Sequence, residues 1–319
     1  RLLANPKQKH SNFEFLTLRR QKFSTMTRFS VSFVAWSLVL ATAMQSSTTN
    51  AFIQRKGTIA APVLSSSQLN ISILPVRAPA ESDVVVEKAM ESTSDVKVFR
   101  QKRIFGKFGR SQFLGFEPQG NAEGVGIIVY PGTFVDATAY APIAKRMAEN
   151  GYHAAIATPP LSLASVGDLG RDYGDKIMSY WKDDVESWVI SGHSQGGAIA
   201  SAYAKSYEGS KLMGLVLLAA YGGDGKVMNG DLSESDYDVI SLYGSLDGIA
   251  LYEDVVVEGA KTLPPNAKFV EIEGGNHSQF SYAEGIQESG EKIDGKPTIS
   301  LEEQQEIVCT NMLKLLSKY

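Results

Sequence analysis

The sequence predicts a doubly wound α/β fold built on a mostly parallel sheet, and three observations support that prediction. Short apolar runs recur beyond about Asp95, stretches of helical periodicity separate them, and one run passes directly into a glycine-rich turn. Runs that are almost continuously apolar are typical of strands covered on both faces, as in a parallel sheet. The six runs are 125–130, 152–158, 188–191, 214–220, 239–243 and 268–272.

A hairpin is predicted before these runs, and helices are predicted between and after them. Segments 96–99 and 111–116 alternate polar and apolar residues on either side of two glycines, as the strands of a hairpin do. Ser300 and Glu303 form a capping-box signature at the start of the last helical stretch. The helical patterns cover 137–150, 195–207, 251–263 and 300–318.

Charge divides the chain into two parts. The 319 residues carry a net charge of −4, but ten of the 31 basic residues and only one of the 35 acidic residues lie in 1–80. The rest of the chain therefore holds 21 basic and 34 acidic residues, a net charge of −13. We interpret 1–80 as an upstream and targeting presequence, the polar segment 81–94 as a linker, and 95–319 as one folded domain.

Residues 26–51 have the three-part layout of a secretory signal peptide. After Met26, which we take as the start, a short basic stretch precedes an apolar run of 16 residues over 29–44, and small residues follow at Thr49 and Ala51. The run is shorter than the roughly 20 residues that span a bilayer. We therefore expect a removable signal peptide and no stable membrane span in the mature protein.

The segment that would follow cleavage, 52–80, contains several serines, is basic and has no acidic residue, which is typical of a transit peptide. A signal peptide followed by Phe52 and such a segment resembles the bipartite plastid-targeting presequence of algae with complex secondary plastids. The resemblance implies a plastid location for the mature protein. Secretion or an endomembrane location is the alternative.

Composition and spacing exclude several classes of function. Four histidines and the single Cys309 give neither a disulfide within the chain nor metal-ligand spacing. Residues 222–226 imitate a phosphate loop, but Ala220 and Val227 stand where that motif needs Gly and Ser or Thr. The acidic domain would be repelled by nucleic acid and by anionic membranes. We expect no cofactor, no metal and no nucleic-acid partner.

One predicted strand–turn–helix segment carries the signature of a nucleophile. The run 188–191 continues into Gly-His-Ser-Gln-Gly-Gly at 192–197, which is a Gly-x-Ser-x-Gly pattern that opens a helix. On so sharp a turn Gly192 and Gly196 avoid clashes that side chains would cause. The helix N-terminus directs free N–H groups at developing negative charge. We therefore predict Ser194 as the nucleophile.

A serine hydroxyl needs a general base within hydrogen-bond reach, and His277 is the histidine best placed to serve. It lies in a glycine-rich loop just after the last predicted strand. His10 lies in the presequence, His153 opens a strand, and the side chain of His193 diverges from that of its neighbour Ser194.

The base in turn needs a carboxylate that fixes its tautomer, and Asp247 is the favoured candidate. It follows the predicted strand 239–243, whereas Asp254 falls inside a helical stretch and Asp224 in a loop before the strand. The resulting chain order of Ser, Asp and His is that of the α/β-hydrolase triad.

The oxyanion hole is predicted to combine two backbone N–H groups, those of Gln195 and Thr133. Gln195 directly follows the nucleophile, and Thr133 lies in the loop after the first buried strand, with Phe134 as the next choice. The predicted pocket walls are Phe134, Tyr221, Phe280 and His193. Too few residues lie between 220 and 237 for a helical cap, so we expect a small cap or none, with 159–187 as a possible flap.

Four motifs together resemble the α/β-hydrolase superfamily over roughly 95–319. They are Tyr-Pro-Gly-Thr at 130–133, Gly-His-Ser-Gln-Gly-Gly at 192–197, Tyr-Gly-Ser-Leu-Asp-Gly at 243–248 and Glu-Gly-Gly-Asn-His at 273–277. The resemblance is to compact, lidless members of the dienelactone-hydrolase-like and carboxylesterase-like kind. Dienelactone hydrolases carry Cys at the nucleophile, so Ser194 departs from them and favours ordinary ester chemistry.

The resemblance implies a serine hydrolase that cleaves carboxylic esters of small molecules through an acyl-enzyme. An acyltransferase with the same intermediate is one alternative, because the sequence does not separate water from an acceptor alcohol or amine. A non-catalytic binding protein on the same fold is another, although the complete triad counts against it. No residue selects a particular acyl or alcohol group.

Overall fold

The computed structural model describes residues 81–105, 108–159, 172–222, 229–285, 287–289 and 291–319. All of these residues belong to the compact unit that runs from Pro75 to Tyr319. The predicted signal peptide at 26–51 and the transit-like segment at 52–80 lie outside the described residues. Residues 160–171 of the predicted flap lie outside them as well.

An eight-stranded sheet forms the centre of the described part of the chain. Its strands are β1 Val96–Phe105, β2 Phe108–Pro118, β3 Val125–Tyr130, β4 His153–Ala157, β5 Ser187–His193, β6 Leu212–Leu218, β7 Asp238–Gly244 and β8 Lys268–Ile272. Their order across the sheet is β1-β2-β4-β3-β5-β6-β7-β8. The hairpin strand β2 is antiparallel to both its neighbours, and all pairs from β4 to β8 are parallel. The predicted mostly parallel α/β sheet is confirmed.

Both faces of the central strands are buried, as the nearly continuous apolar runs predict. Along β3, Ile127 and Val129 belong to one hydrophobic core while Ile128 and Tyr130 belong to a second core, because successive side chains point to opposite faces. All six residues of β3 are buried. This double burial fixes the central strands and therefore the loops that leave their carboxyl ends.

Helices cover the two faces. The α-helices are α1 Glu81–Ala89, α2 Ala141–Glu149, α3 Asp172–Tyr180, α4 Gln195–Ser206 and α5 Leu301–Leu316. The predicted capping box is present at α5, where Ser300 Oγ accepts from Glu303 N at 3.1 Å and Ser300 N donates to Glu303 Oε2 at 2.8 Å. A short pair, β9 Glu288–Ser289 and β10 Lys292–Ile293, lies before α5.

Two of the predicted helices differ from the structure. The stretch 137–150 divides into a 3₁₀ turn, Ala137–Tyr140, and α2, because Pro142 in the first turn of α2 favours a new helix start. The stretch 251–263 forms a π-helical turn, Glu253–Glu258, and a 3₁₀ turn, Gly259–Thr262. Three consecutive valines in the π-turn are stiff at χ1 and disfavour a regular α-helix.

The segment 81–94, predicted as a linker, contains α1 and packs on the domain. Ala89 is 5% exposed and Met90 contacts the first hydrophobic core. Lys145 Nζ on α2 donates to the carbonyl oxygens of Lys88 and Glu91 at 2.8 and 2.9 Å. The polar composition concealed this packing, because one small apolar face is enough to attach so short a helix.

The parallel strands direct the functional loops to one edge of the sheet. The loops after β3, β5, β7 and β8 carry Thr133, Ser194, Asp247 and His277 respectively, and ligands bind at this edge in open α/β sheets. Between β6 and β7 the described residues contain no α-helix, in keeping with the short interval there. No helix in the described part of the chain is long and apolar enough to span a membrane.

Candidate active site

Ser194 stands on a strained turn between β5 and α4. Its backbone has φ 54° and ψ −126°, although a positive φ is uncommon for a residue with a side chain. The turn is held because Ser194 N donates to Leu218 O at the end of β6 at 2.9 Å. The strand β5 and the helix α4 thus fix the one residue that sequence reasoning singles out as nucleophile.

The two glycines that flank Ser194 are required by close backbone approach. A Cβ on Gly192 would overlap the carbonyl group of Gly196, and a Cβ on Gly196 would overlap the carbonyl oxygen of Tyr130 at the end of β3. The helix α4 therefore approaches the sheet more closely than any residue with a side chain would allow. This packing confirms the reason given for both glycines in the predicted turn.

Asp247 and His277 form a buried hydrogen-bonded pair. His277 Nδ1 lies 2.8 Å from Asp247 Oδ2, and each side chain is 1% exposed. The other carboxylate oxygen, Oδ1, accepts from the N–H groups of Ile249 and Ala250 at 2.8 and 2.7 Å. A carboxylate only accepts, so the contact assigns the ring proton to Nδ1 and leaves a lone pair on Nε2.

His277 Nε2 is buried and has no hydrogen-bond partner among the residues that the structure describes. The His277 ring lies 4.7 Å, centroid to centroid, from the ring of His193, which is the residue next to Ser194. Hydrogen bonds between nucleophile and base are often loose before substrate binds. The structure therefore joins the predicted base and acid directly and places the base beside the elbow, without a Ser194–His277 hydrogen bond.

The two predicted oxyanion-hole residues are in side-chain contact. Thr133 Oγ1 donates a hydrogen bond to Gln195 Oε1, which connects the loop after β3 to the first residue of α4. Within the described residues neither backbone N–H donates to another group. An oxyanion hole needs free N–H groups aimed at one point, and the assignment of these two to that role stays a prediction.

The geometry of this site accords with what comparison of the sequence shows. A model of the alpha/beta hydrolase family matches residues 126–306, which is more than half of the chain. The chain belongs to the alpha/beta hydrolase family. Comparison with curated proteins found no match.

Solved structures similar to this alpha/beta hydrolase are distant in sequence. A predicted CIB-like hydrolase from Thermoplasma acidophilum is 15% identical with a TM-score of 0.49, and the match covers 68% of this chain and 98% of that hydrolase. Est1E from Butyrivibrio proteoclasticus is 17% identical with a TM-score of 0.47, and the match covers 70% of this chain and 100% of Est1E. Because both TM-scores lie below 0.5, the family assignment rests on the family model and on the fold.

His193 in this hydrolase is part of a buried polar chain that sequence reasoning did not find. Gly132 N donates to the Tyr140 hydroxyl at 2.9 Å, and the same hydroxyl forms a hydrogen bond with His193 Nδ1 at 2.7 Å. Burial, with the neighbouring His277 as a second cause, holds the pKa of His193 well below its ordinary value. His193 is therefore neutral and connects the loop after β3 to the elbow. No spacing rule predicts Tyr140, because its role depends on a residue 53 positions away.

The four predicted pocket residues of the hydrolase occupy two different environments. Phe134 and Tyr221 are 59% and 42% exposed and are accessible to a bound molecule. Phe280 and His193 are fully buried, with their rings 5.8 Å apart. No cluster of three or more metal-ligating side chains occurs among the residues that the structure describes.

Proposed function

We propose that this hydrolase cleaves carboxylic esters of small molecules through a triad of Ser194, His277 and Asp247. The observation that carries the proposal is the buried 2.8 Å contact between His277 Nδ1 and Asp247 Oδ2, at the same sheet edge as the strained Ser194. A buried imidazole with a fixed tautomer and an unpaired Nε2 is the form a general base requires.

Acylation begins with attack by Ser194 Oγ on the ester carbonyl carbon. His277 Nε2 takes the hydroxyl proton, while Asp247 stabilises the resulting imidazolium through its bond to Nδ1. The carbonyl oxygen becomes an oxyanion and accepts hydrogen bonds from the N–H groups of Gln195 and Thr133. Each such donor contributes on the order of 10²–10³ in rate.

Acylation ends when the alcohol leaves, and deacylation then repeats the same proton transfers with water. His277 gives its proton to the departing alcohol, and the serine ester of the acyl group remains. His277 then takes a proton from water as the water oxygen attacks the acyl carbonyl carbon. When the tetrahedral intermediate collapses, the bond from the acyl carbon to Ser194 Oγ breaks, His277 returns its proton to Oγ, and the carboxylic acid leaves. An acceptor alcohol in place of water would give transfer instead of hydrolysis, so products are to be compared with and without such an alcohol.

The test is hydrolysis of p-nitrophenyl esters of increasing acyl length by the Ser194→Ala variant. We expect kcat/KM to fall at least about 10³-fold, because the nucleophile is lost. Ser191→Ala is the matched control, since Ser191 is a buried serine on β5 whose Oγ has no partner among the described residues. Ser194→Ala with the activity of Ser191→Ala would overturn the proposal.

A further inference from the structure

A buried carboxylate outside the predicted triad, Asp294, lies between the loops that carry Asp247 and His277. It directly follows β10 and is 5% exposed. Neither the sequence motifs nor the proposed proton transfers use it. A buried charged residue that the reaction does not use requires another explanation, because removing a carboxylate from water is costly unless donors replace the water.

Asp294 accepts five hydrogen bonds, and four of them come from the two functional loops. Oδ1 accepts from Gly248 N at 3.2 Å, from His277 N at 3.1 Å and from the adjacent Gly295 N at 2.9 Å. Oδ2 accepts from Ser278 N at 2.7 Å and from Ser278 Oγ at 2.6 Å. All five groups donate, so the carboxylate replaces water with protein N–H and O–H groups.

The contacts to Gly248 and His277 join the residue after the triad acid to the triad base. Gly248 is one position beyond Asp247, so a single oxygen atom holds the backbones on both sides of the Asp247–His277 hydrogen bond. Within the described residues Asp294 makes no ion pair with Lys, Arg or His. Its contacts therefore fix these two loops and no charged side chain.

We propose that Asp294 is a positioning residue that holds the Asp247–His277 pair in register by binding the backbones of both loops. The consequence for turnover rests on the proposed ester-hydrolase function, whereas the consequence for the pair itself does not. Loss of the carboxylate would let the two loops separate, and the ring of His277 would lose its fixed orientation. A misplaced base slows proton transfer and leaves substrate binding unchanged.

The test compares Asp294→Asn with Asp238→Asn in the full chain. The Asn amide keeps one acceptor oxygen, but its NH₂ group faces groups that already donate. The hydrogen bonds that one of the two carboxylate oxygens accepts in the wild type are therefore lost. Asp238 is the matched control, because it lies at the start of β7, at the other end of the strand that leads to Asp247, and contacts Tyr319 and Lys318. The measurements are kcat, KM, the melting temperature and the downfield proton resonance of His277 Nδ1–H.

For Asp294→Asn we expect kcat to fall about 10- to 100-fold with KM changed less than about twofold. We also expect the Nδ1–H resonance of His277 to broaden through exchange with water. In Asp238→Asn we expect kcat and this resonance to stay as in the wild type. Ser278→Ala, which removes one of the five donors, gives a smaller change in the same direction and serves if Asp294→Asn does not fold.

Three outcomes are informative. If Asp294→Asn or Ser278→Ala lowers only the melting temperature, and kcat and the resonance stay as in the wild type, Asp294 is merely structural and the proposal is overturned. Equal losses in Asp238→Asn also overturn it. If the wild type hydrolyses no ester but its resonance depends on Asp294, the positioning role stands and the proposed function fails.

Discussion

The side chains of Thr133 and Gln195 connect two loops that are distant along the chain. Thr133 Oγ1 donates to Gln195 Oε1, and the backbone N–H groups of the same two residues are the proposed oxyanion donors. The side-chain contact therefore fixes the spacing of the two N–H groups without occupying them. Preorganised donors stabilise an oxyanion more than donors that must first be brought together.

Removal of the Thr133 hydroxyl should loosen this arrangement. For Thr133→Val, which keeps the branched shape, we expect kcat/KM to fall about 10-fold because the donors are no longer held at the right spacing. Thr133→Ser keeps the hydroxyl and should stay within about twofold of the wild type. Ester-hydrolysis kinetics of both variants check this, and equal activity of the Val and Ser variants would contradict it.

At the scale of residues, the contacts that a known motif implies, such as the Asp247–His277 pair, could be read from the sequence, and other contacts between distant residues could not. Gly192, Ser194 and Gly196 were predictable because they form one short motif between a recognisable strand and a recognisable helix. Tyr140 and Asp294 were not, since each acts through partners that only the folded chain brings near. The open Nε2 of His277 also depends on side-chain orientation, which no spacing determines.

At the scale of elements, strand β4 begins with a buried histidine that affects stability. His153 is 4% exposed, and its ring makes an edge contact with Trp181 at 5.4 Å. Burial lowers the pKa of His153, although Glu117 and Asp184 act in the opposite direction. In the unfolded chain a histidine has a pKa of about 6.5, so the unfolded state binds more protons below that pH.

The free energy of unfolding should therefore be largest above about pH 6.5 and decrease as the pH falls below this value. His153→Phe keeps a ring against Trp181 and removes the titrating group, so we expect a shallower decrease. Part of the decrease remains, because the pKa of His193 is also lowered. Urea denaturation of the wild type and of His153→Phe at several pH values between about 7.5 and 5 gives the free energy of unfolding of each protein as a function of pH. Identical slopes in the two proteins would rule out this role for His153.

The elements themselves were predictable to the extent that their residues are buried uniformly. All six apolar runs are strands. In five of them nearly every residue is buried, so few polar positions obscure the pattern, whereas β8 at the sheet edge exposes Lys268 and Glu271. The stretch 251–263 was harder to predict, since its apolar residues fit an α-helix while its three consecutive valines lower the propensity for one. Helix α1 was missed because only one small face of it is buried.

At the scale of the whole molecule, the sheet brings together four loops from separate parts of the sequence. The apolar runs predicted an α/β fold with a mostly parallel sheet. The order of Ser194, Asp247 and His277 along the chain was consistent with that fold. The strand order, in which β4 lies between β2 and β3, did not follow from those runs. Parallel strands have to be connected by crossovers, and only packing decides which strands become neighbours.

The central claim is that Ser194 is the nucleophile, and covalent labelling tests it most directly. The full chain is treated with a fluorophosphonate, which forms a stable adduct with an activated serine, and the adduct is located by peptide mass spectrometry. We predict one adduct, on Ser194, that is absent from Ser194→Ala and retained in Ser191→Ala. An adduct on a different serine, or no adduct on the folded protein, would contradict the account.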